Sequence, residues 1–188
     1  MRGLVIAALA LLTGACRSGP SSSVYEPVEQ NKGSTAEAER LTKKAADLIL
    51  DHPDEAEALL RRALVQDLFF GPAHNNLGVV YLNRGDLYAA ANEFEWARKL
   101  MPGHPDPRLN LAITLDRAGQ ADEALSAYTA TLEVYPGHIG AIQGLALLAV
   151  RDGRDGRDEP RLEDWLQRIA LEGESEAWRE WALRTRGR

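Results

Sequence analysis

The sequence predicts an all-α fold: an α-solenoid of about four stacked antiparallel helix pairs with a capping helix at its C-terminal end. A signal peptide and a disordered linker precede it. Three observations predict this. First, a block from Gly71 to Pro102 is copied further along at one fixed spacing, so that Leu77-Gly78, Tyr81, Gly85, Ala90, Phe94, Ala97 and Pro102 are echoed by Leu111-Ala112, Leu115, Gly119, Ala124, Tyr128, Thr131 and Pro136. A fixed period of about 34 residues marks a stacked repeat architecture. Second, the chain is 45% hydrophobic but only 6% aromatic, so its apolar cover comes from Ala and Leu, which favour helices. Third, turn and breaker residues keep the same spacing, with Pro102-Gly103-His104 repeated as Pro136-Gly137-His138.

Residues 1–15 read as a signal peptide. Met1-Arg2-Gly3 supplies a short positive start, Leu4–Leu12 is an apolar run, and Thr13-Gly14-Ala15 provides small residues at a cleavage site. Cys16, the only cysteine, follows at once. Leu12-Thr13-Gly14-Ala15-Cys16 resembles the lipobox of bacterial lipoproteins, with Thr13 where leucine usually stands and Leu12 one place earlier. That resemblance implies cleavage before Cys16 and a diacylglyceryl group on its sulfur. Arg17, rather than Asp, resembles the sorting signal of lipoproteins sent to the outer membrane, facing the periplasm. An ordinary signal peptide is the competing reading. Residues 16–35 shift to Ser, Gly, Pro, Glu and Gln and read as a flexible tether with a reach of roughly 25 Å.

The solenoid is expected over residues 36–173, in units of about 37–70, 71–104, 105–138 and 139–173. In the first unit, a helix over Ala36–Leu50 presents Leu41, Ala45 and Leu48 on one face. Its partner from about Asp54 carries Ala56, Leu60 and Ala63, each one full repeat before Ala90, Phe94 and Ala97. The first helix is out of phase with that spacing, which predicts a one-residue deletion in the turn. The second unit has small Gly78 and Ala90 where two helices must approach, with Leu77, Tyr81 and Phe94 filling between them. Gly85-Asp86 makes the turn, and Pro102-Gly103 stops the second helix. The third unit repeats this pattern. The fourth keeps phase through Ile142, Leu145-Ala146, Ala149 and Gly153. A charged loop then adds four positions before the face resumes at Leu162, Leu166 and Ile169, because the step from Ala149 to Leu162 is that much longer than the one from Tyr81 to Ala90. Residues 174–188 form the capping helix, with Trp178 and Trp181-Ala182 as anchors.

His74-x-x-Leu77-Gly78-x-x-Tyr81, Ala90-x-x-x-Phe94-x-x-Ala97 and Pro102 resemble the tetratricopeptide repeat (TPR), with His74 where that family usually has Trp. The resemblance spans roughly residues 36–170 and implies that the first helix of each pair lines a concave groove. It places Asn75, Val79, Leu82 and Asn83 there from the second unit, Leu109, Ile113 and Asp116 from the third, and Gln143 and Leu147 from the fourth. A Lys/Asn clamp that grips C-terminal carboxylates in one sub-class has no counterpart at Asn75, Val79, Leu109 and Ile113. An extended or helical peptide with apolar side chains is the expected ligand.

Composition narrows the chemistry. The formal net charge of −6 argues against nucleic acid as a partner. No stretch after residue 15 has the roughly 18 unbroken apolar residues of a membrane span. One cysteine permits no intrachain disulfide and no paired-thiolate metal site. His52, His104 and His138 fall in turns and His74 at a packing position, and no phosphate loop or nucleophile elbow occurs. The acids of Asp152–Asp158 recur every third residue with arginines between them, unlike a calcium loop. No cofactor, metal site or catalytic residue is expected. The functional expectation is a non-enzymatic scaffold, lipid-anchored in the bacterial cell envelope, that holds a protein or peptide. Small TPR lipoproteins of this kind resemble pilotins and assembly factors of type IV pili and secretion channels, or adaptors for peptidoglycan enzymes.

Overall fold

The computed structural model describes residues 32–153 and 159–186. Residues 1–31, with the signal peptide, Cys16 and most of the tether, lie outside the described residues, as does the loop at 154–158. The described residues form one compact unit. Among the described residues the chain forms α1 (Lys32–Ala46), α2 (Pro53–Gln66), α3 (Gly71–Arg84), α4 (Leu87–Leu100), α5 (Asp106–Arg117), α6 (Ala121–Val134), α7 (Ile139–Arg151), α8 (Leu162–Glu172) and α9 (Glu176–Arg186), with no strand. None of these helices is long and apolar enough to cross a membrane.

Consecutive helices pack as pairs, α1 with α2, α3 with α4, α5 with α6 and α7 with α8, and each pair packs on the next. Short turns enforce this. Gly85 closes α3 at φ 81°, a left-handed geometry that glycine adopts without a Cβ penalty, and the Asp86 side chain then accepts a hydrogen bond from the Ala89 N–H to start α4. Prolines sit in the first turns of α2, α3 and α5, where a missing N–H costs nothing.

The core is a chain of three apolar clusters rather than one ball. Leu41, Leu60 and Leu77 belong to the first, Phe94 and Leu111 to the second, and Tyr128, Leu145, Trp165 and Ile169 to the third. Tyr81 packs on both of the first two, and Ile113 and Leu115 on both of the last two. Two close approaches set the helix spacing. A Cβ on Gly78 would lie 2.6 Å from the Phe94 ring, and one on Gly144 would lie 2.3 Å from the Tyr128 ring. Burial pushes the Tyr128 hydroxyl up to about 12, so the ring packs uncharged.

The structure corrects the first unit. α1 starts at Lys32, inside the stretch expected as tether, and ends at Ala46 instead of running to Leu50. Ala38, Leu41, Thr42 and Ala45 are buried and share the register of His74, Leu77, Gly78 and Tyr81. The step from Ala45 to Ala56 is two positions longer than the step from Tyr81 to Ala90. The turn is therefore extended, not shortened by one. Leu48 stops being a helical face residue, and Leu50 projects into solvent.

α9 starts at Glu176, a little later than expected, and packs on α8. Ala182 is buried, while Trp178 and Trp181 pack on the third cluster with rings edge-on at 5.3 Å. Trp178, Trp181 and Ala182 have the spacing of His74, Leu77 and Gly78, so α9 is built as the first helix of a fifth unit.

His74 is a buried polar residue at the position of a packing Trp. Its Nδ1 lies 2.6 Å from Glu93 Oε2 and its Nε2 lies 2.9 Å from the Leu68 carbonyl. Both partners are oxygen acceptors, so the arrangement favours the imidazolium, which donates from both ring nitrogens. Trp96 covers it in a stack, with centroids 5.8 Å apart and planes at 17°. Burial lowers the pKa of His74, but hydrogen bonds to Glu93 and Leu68 and the Glu93 charge outweigh it, and the net shift is upward from 6.5.

A folded pKa above the unfolded value gives a stabilisation that is complete below the unfolded pKa and lost as pH rises through the folded one. The urea midpoint should therefore fall as pH rises above the unfolded value of about 6.5, and His74→Gln should flatten that slope; equal slopes for parent and variant would refute the ion pair. Gly144→Ala sets a helix-propensity gain of up to ~1 kcal/mol against a clash with the Tyr128 ring. The clash should win by about 1–3 kcal/mol of lost stability in urea titrations.

Candidate functional site: the inner face of the stack

The first helices of the pairs touch one another, α1 with α3, α3 with α5 and α5 with α7, whereas the second helices α2, α4, α6 and α8 have at most marginal mutual contact. A row whose members lie closer together must be on the inside of the curve. The first helices therefore line the concave face. Side chains that leave them away from their own partners project from it.

Along that face Val79, Ile113 and Leu147 occupy one register, each a full repeat after the last. Val79 and Ile113 are half-buried against Leu82, Phe94 and Leu111, while Leu147 is 36% exposed. The register of α9 adds Leu183, 58% exposed, at the place that follows Leu147. Sequence reasoning missed it, although Trp178-x-x-Trp181-Ala182 carries the same spacing as His74-x-x-Leu77-Gly78 and so sets its phase.

Polar groups bracket the stripe. Asn110 Nδ2 donates to Asn75 Oδ1 at 3.0 Å, an amide link between the second and third units. Arg151 Nη1 donates to Asp116 Oδ1 at 2.7 Å, joining the third unit to the fourth. The hydrogen bond and charge of Asp116 hold the Arg151 pKa above its usual value. One unit earlier, Arg117 Nη1 reaches back to the Leu82 carbonyl at 3.3 Å. Arg117 and Arg151 recur at the repeat spacing, a signal that could have flagged both as rungs between units. Asn83 is exposed, and Leu109 is half-buried beside Gly140.

Two residues expected to face the groove do not reach it. Leu82 is 6% exposed because it joins Ala90, Phe94 and Leu111 in the seam between α3 and α5. Gln143 is 2% exposed, since α7 is buried continuously from Ala141 to Ala146. Its amide nitrogen has no protein acceptor. Cys16 lies outside the described residues.

No group of three His, Cys, Asp or Glu side chains suited to a metal ion occurs among the described residues. His104 Nδ1 and His138 Nε2 do flank Asp106, at 3.7 and 3.8 Å from its two oxygens, so the Pro-Gly-His turns of neighbouring units meet around one carboxylate.

The model of the tetratricopeptide repeat family matches residues 81–149. The fold is that of a TPR solenoid. No curated protein matches the chain in sequence. Among solved structures, that of Pseudomonas aeruginosa pilF superposes with a TM-score of 0.69 at 16% identity, covering 83% of this chain and 72% of that one. A crystal structure of MamA gives 0.64 at 24% identity, over 70% of this chain and 77% of its own. The first TPR of Spaghetti (RPAP3), bound to the HSP90 peptide SRMEEVD, gives 0.60 at 17% identity, over 63% and 95%. At these identities the likeness is one of fold.

Proposed function

We propose that this protein is a non-enzymatic scaffold that holds a partner polypeptide along its concave face and is tethered by lipid on Cys16 in the bacterial cell envelope, at the outer membrane. The observation that carries the binding half is the stripe of Val79, Ile113, Leu147 and Leu183, one apolar side chain for each unit after the first, growing more exposed toward the C-terminal end. Packed helices lie about 8–10 Å apart, so such a stripe repeats at the distance covered by about seven residues of an α-helix. A helical peptide with a matching apolar edge would seat one side chain against each unit. The polar rungs Asn75–Asn110 and Asp116–Arg151 would frame it. A TPR structure bound to a peptide, among those similar in fold, supports a polypeptide as the kind of ligand. The apolar run before Cys16 supports the tether, and several acyl chains would hold strongly at ~0.8 kcal/mol per buried methylene. Assembly of a pilus or secretion channel, or recruitment of peptidoglycan enzymes, would be instances of the same role.

Leu147→Glu/Leu183→Glu, at the exposed members of the stripe, should lose the partner recovered from envelope extracts by the parent while keeping its helical circular dichroism. Equal recovery by both forms would contradict groove binding. Cys16→Ser should leave the membrane fraction or accumulate unprocessed, and unchanged fractionation would sink the lipid anchor.

A further inference from the structure

A second concavity lies on the opposite, outer face. Between α4 and α6, over α5, opens a cleft of about 570 Å³, within the range of ~300–1,000 Å³ typical of ligand sites. Leu111 and Leu115 form its floor, with Arg98 and Arg108 on one side and Ala127 and Ala130 on the other. In both flanking units a tryptophan of the chain itself stands at the corresponding place, half-exposed as Trp96 in one and buried as Trp165 in the other. Trp96 precedes Ala130 by one repeat and stacks on His74, which precedes Arg108 by one repeat. Trp165 stands three positions after Leu162, as Ala127 stands three after Ala124, and its ring is 7% exposed under the Arg161 guanidinium at 4.8 Å. The space left there, lined by Leu145, Ala149 and Trp165, is only about 10 Å³. The cleft is thus the place where each neighbouring unit carries an indole, laid over His74 as Trp96 or buried as Trp165, and this unit carries two alanines.

We infer that the cleft receives an aromatic side chain, an indole or a smaller ring, from a partner polypeptide. A ring of this kind buries roughly 150–250 Å², and the floor of Leu111 and Leu115 matches its faces. Arg108 stands in the register of the ring that Trp96 stacks on, so its guanidinium can lie over an incoming π-face. Arg98 bonds Glu95 through Nη2 at 2.6 Å, which holds its guanidinium at the wall of the cleft. The cleft is open to solvent along the furrow between α4 and α6, which suits a side chain carried on a chain better than a free small molecule. Asp122 and Glu123 on the far rim face the arginine side, so a partner with a basic residue beside its aromatic is favoured. This site lies away from the concave stripe and does not depend on it.

The test is a titration of the ¹⁵N-labelled full chain with N-acetyl-tryptophanamide and with a pentapeptide of one Trp between alanines, against the all-alanine pentapeptide. Saturable shifts confined to residues 95–98, 108–115 and 122–130 are expected for the first two probes and none for the third. Ala130→Trp should abolish those shifts and raise Tm. Arg108→Ala should weaken binding about tenfold, which decides the matter if Ala130→Trp does not fold. Leu147→Glu should leave the shifts unchanged, separating this face from the groove. Absence of saturable shifts, or equal shifts with the cleft plugged, would overturn the inference. A dimer in sedimentation that Ala130→Trp disperses would overturn it in favour of a second copy of this chain.

Discussion

The contact on which the rest of the structure depends is an aromatic ring laid on a residue with little or no side chain. Phe94 lies on Gly78 within the second unit, and Tyr128 lies on Gly144 at the step from the third unit to the fourth. Each ring fixes how closely two helices approach, and a small change there would shift every unit beyond it. Interiors packed to crystal density cannot absorb such a shift locally. Such contacts hold a one-dimensional stack in which, among the described residues, Tyr81 packs on the first two apolar clusters and Ile113 and Leu115 on the last two.

The period made much of this legible. Equal spacing identified Leu77, Gly78, Ala90 and Phe94 as packing residues, placed the turn glycines, and found the insertion before α8. Its limits are physical too. A period tells which residues are equivalent, not how deeply each is covered. Asn75 and Gln143 share a register, yet one joins an amide link on the inner face and the other lies within the continuously buried run of α7 from Ala141 to Ala146. Leu82 was misplaced for a related reason: it leaves α3 at the border between groove and seam, and the neighbouring apolar cluster captures it. The first unit misled because a short turn and a long turn both break phase, and only the burial of Ala38, Leu41 and Thr42 reveals the register.

The same regularity makes departures informative. His74 in place of Trp brings a buried cation, and the chain answers with Glu93, the Leu68 carbonyl and the face of Trp96. Ala127 and Ala130 bring the reverse, a vacancy where neighbours carry rings. One edit adds polarity that must be satisfied, since an unpaired buried charge would cost several kcal/mol or more. The other leaves apolar surface in water. Inner stripe and outer cleft therefore arise from one scaffold by opposite means, the first by keeping an apolar residue in each unit after the first, where Lys43 holds the place, and the second by lacking a ring in one.

The central claim is that the inner face is an open apolar stripe whose borders are sealed. Thiol labelling of single-cysteine variants on a Cys16→Ser background tests it most directly. Leu147→Cys and Leu183→Cys should react within about tenfold of the unfolded chain, while Leu82→Cys and Gln143→Cys should be slowed about a hundredfold or more, needing local opening first. Protection of Leu147→Cys equal to that of Leu82→Cys would mean that the stack covers its own groove, and would contradict the account.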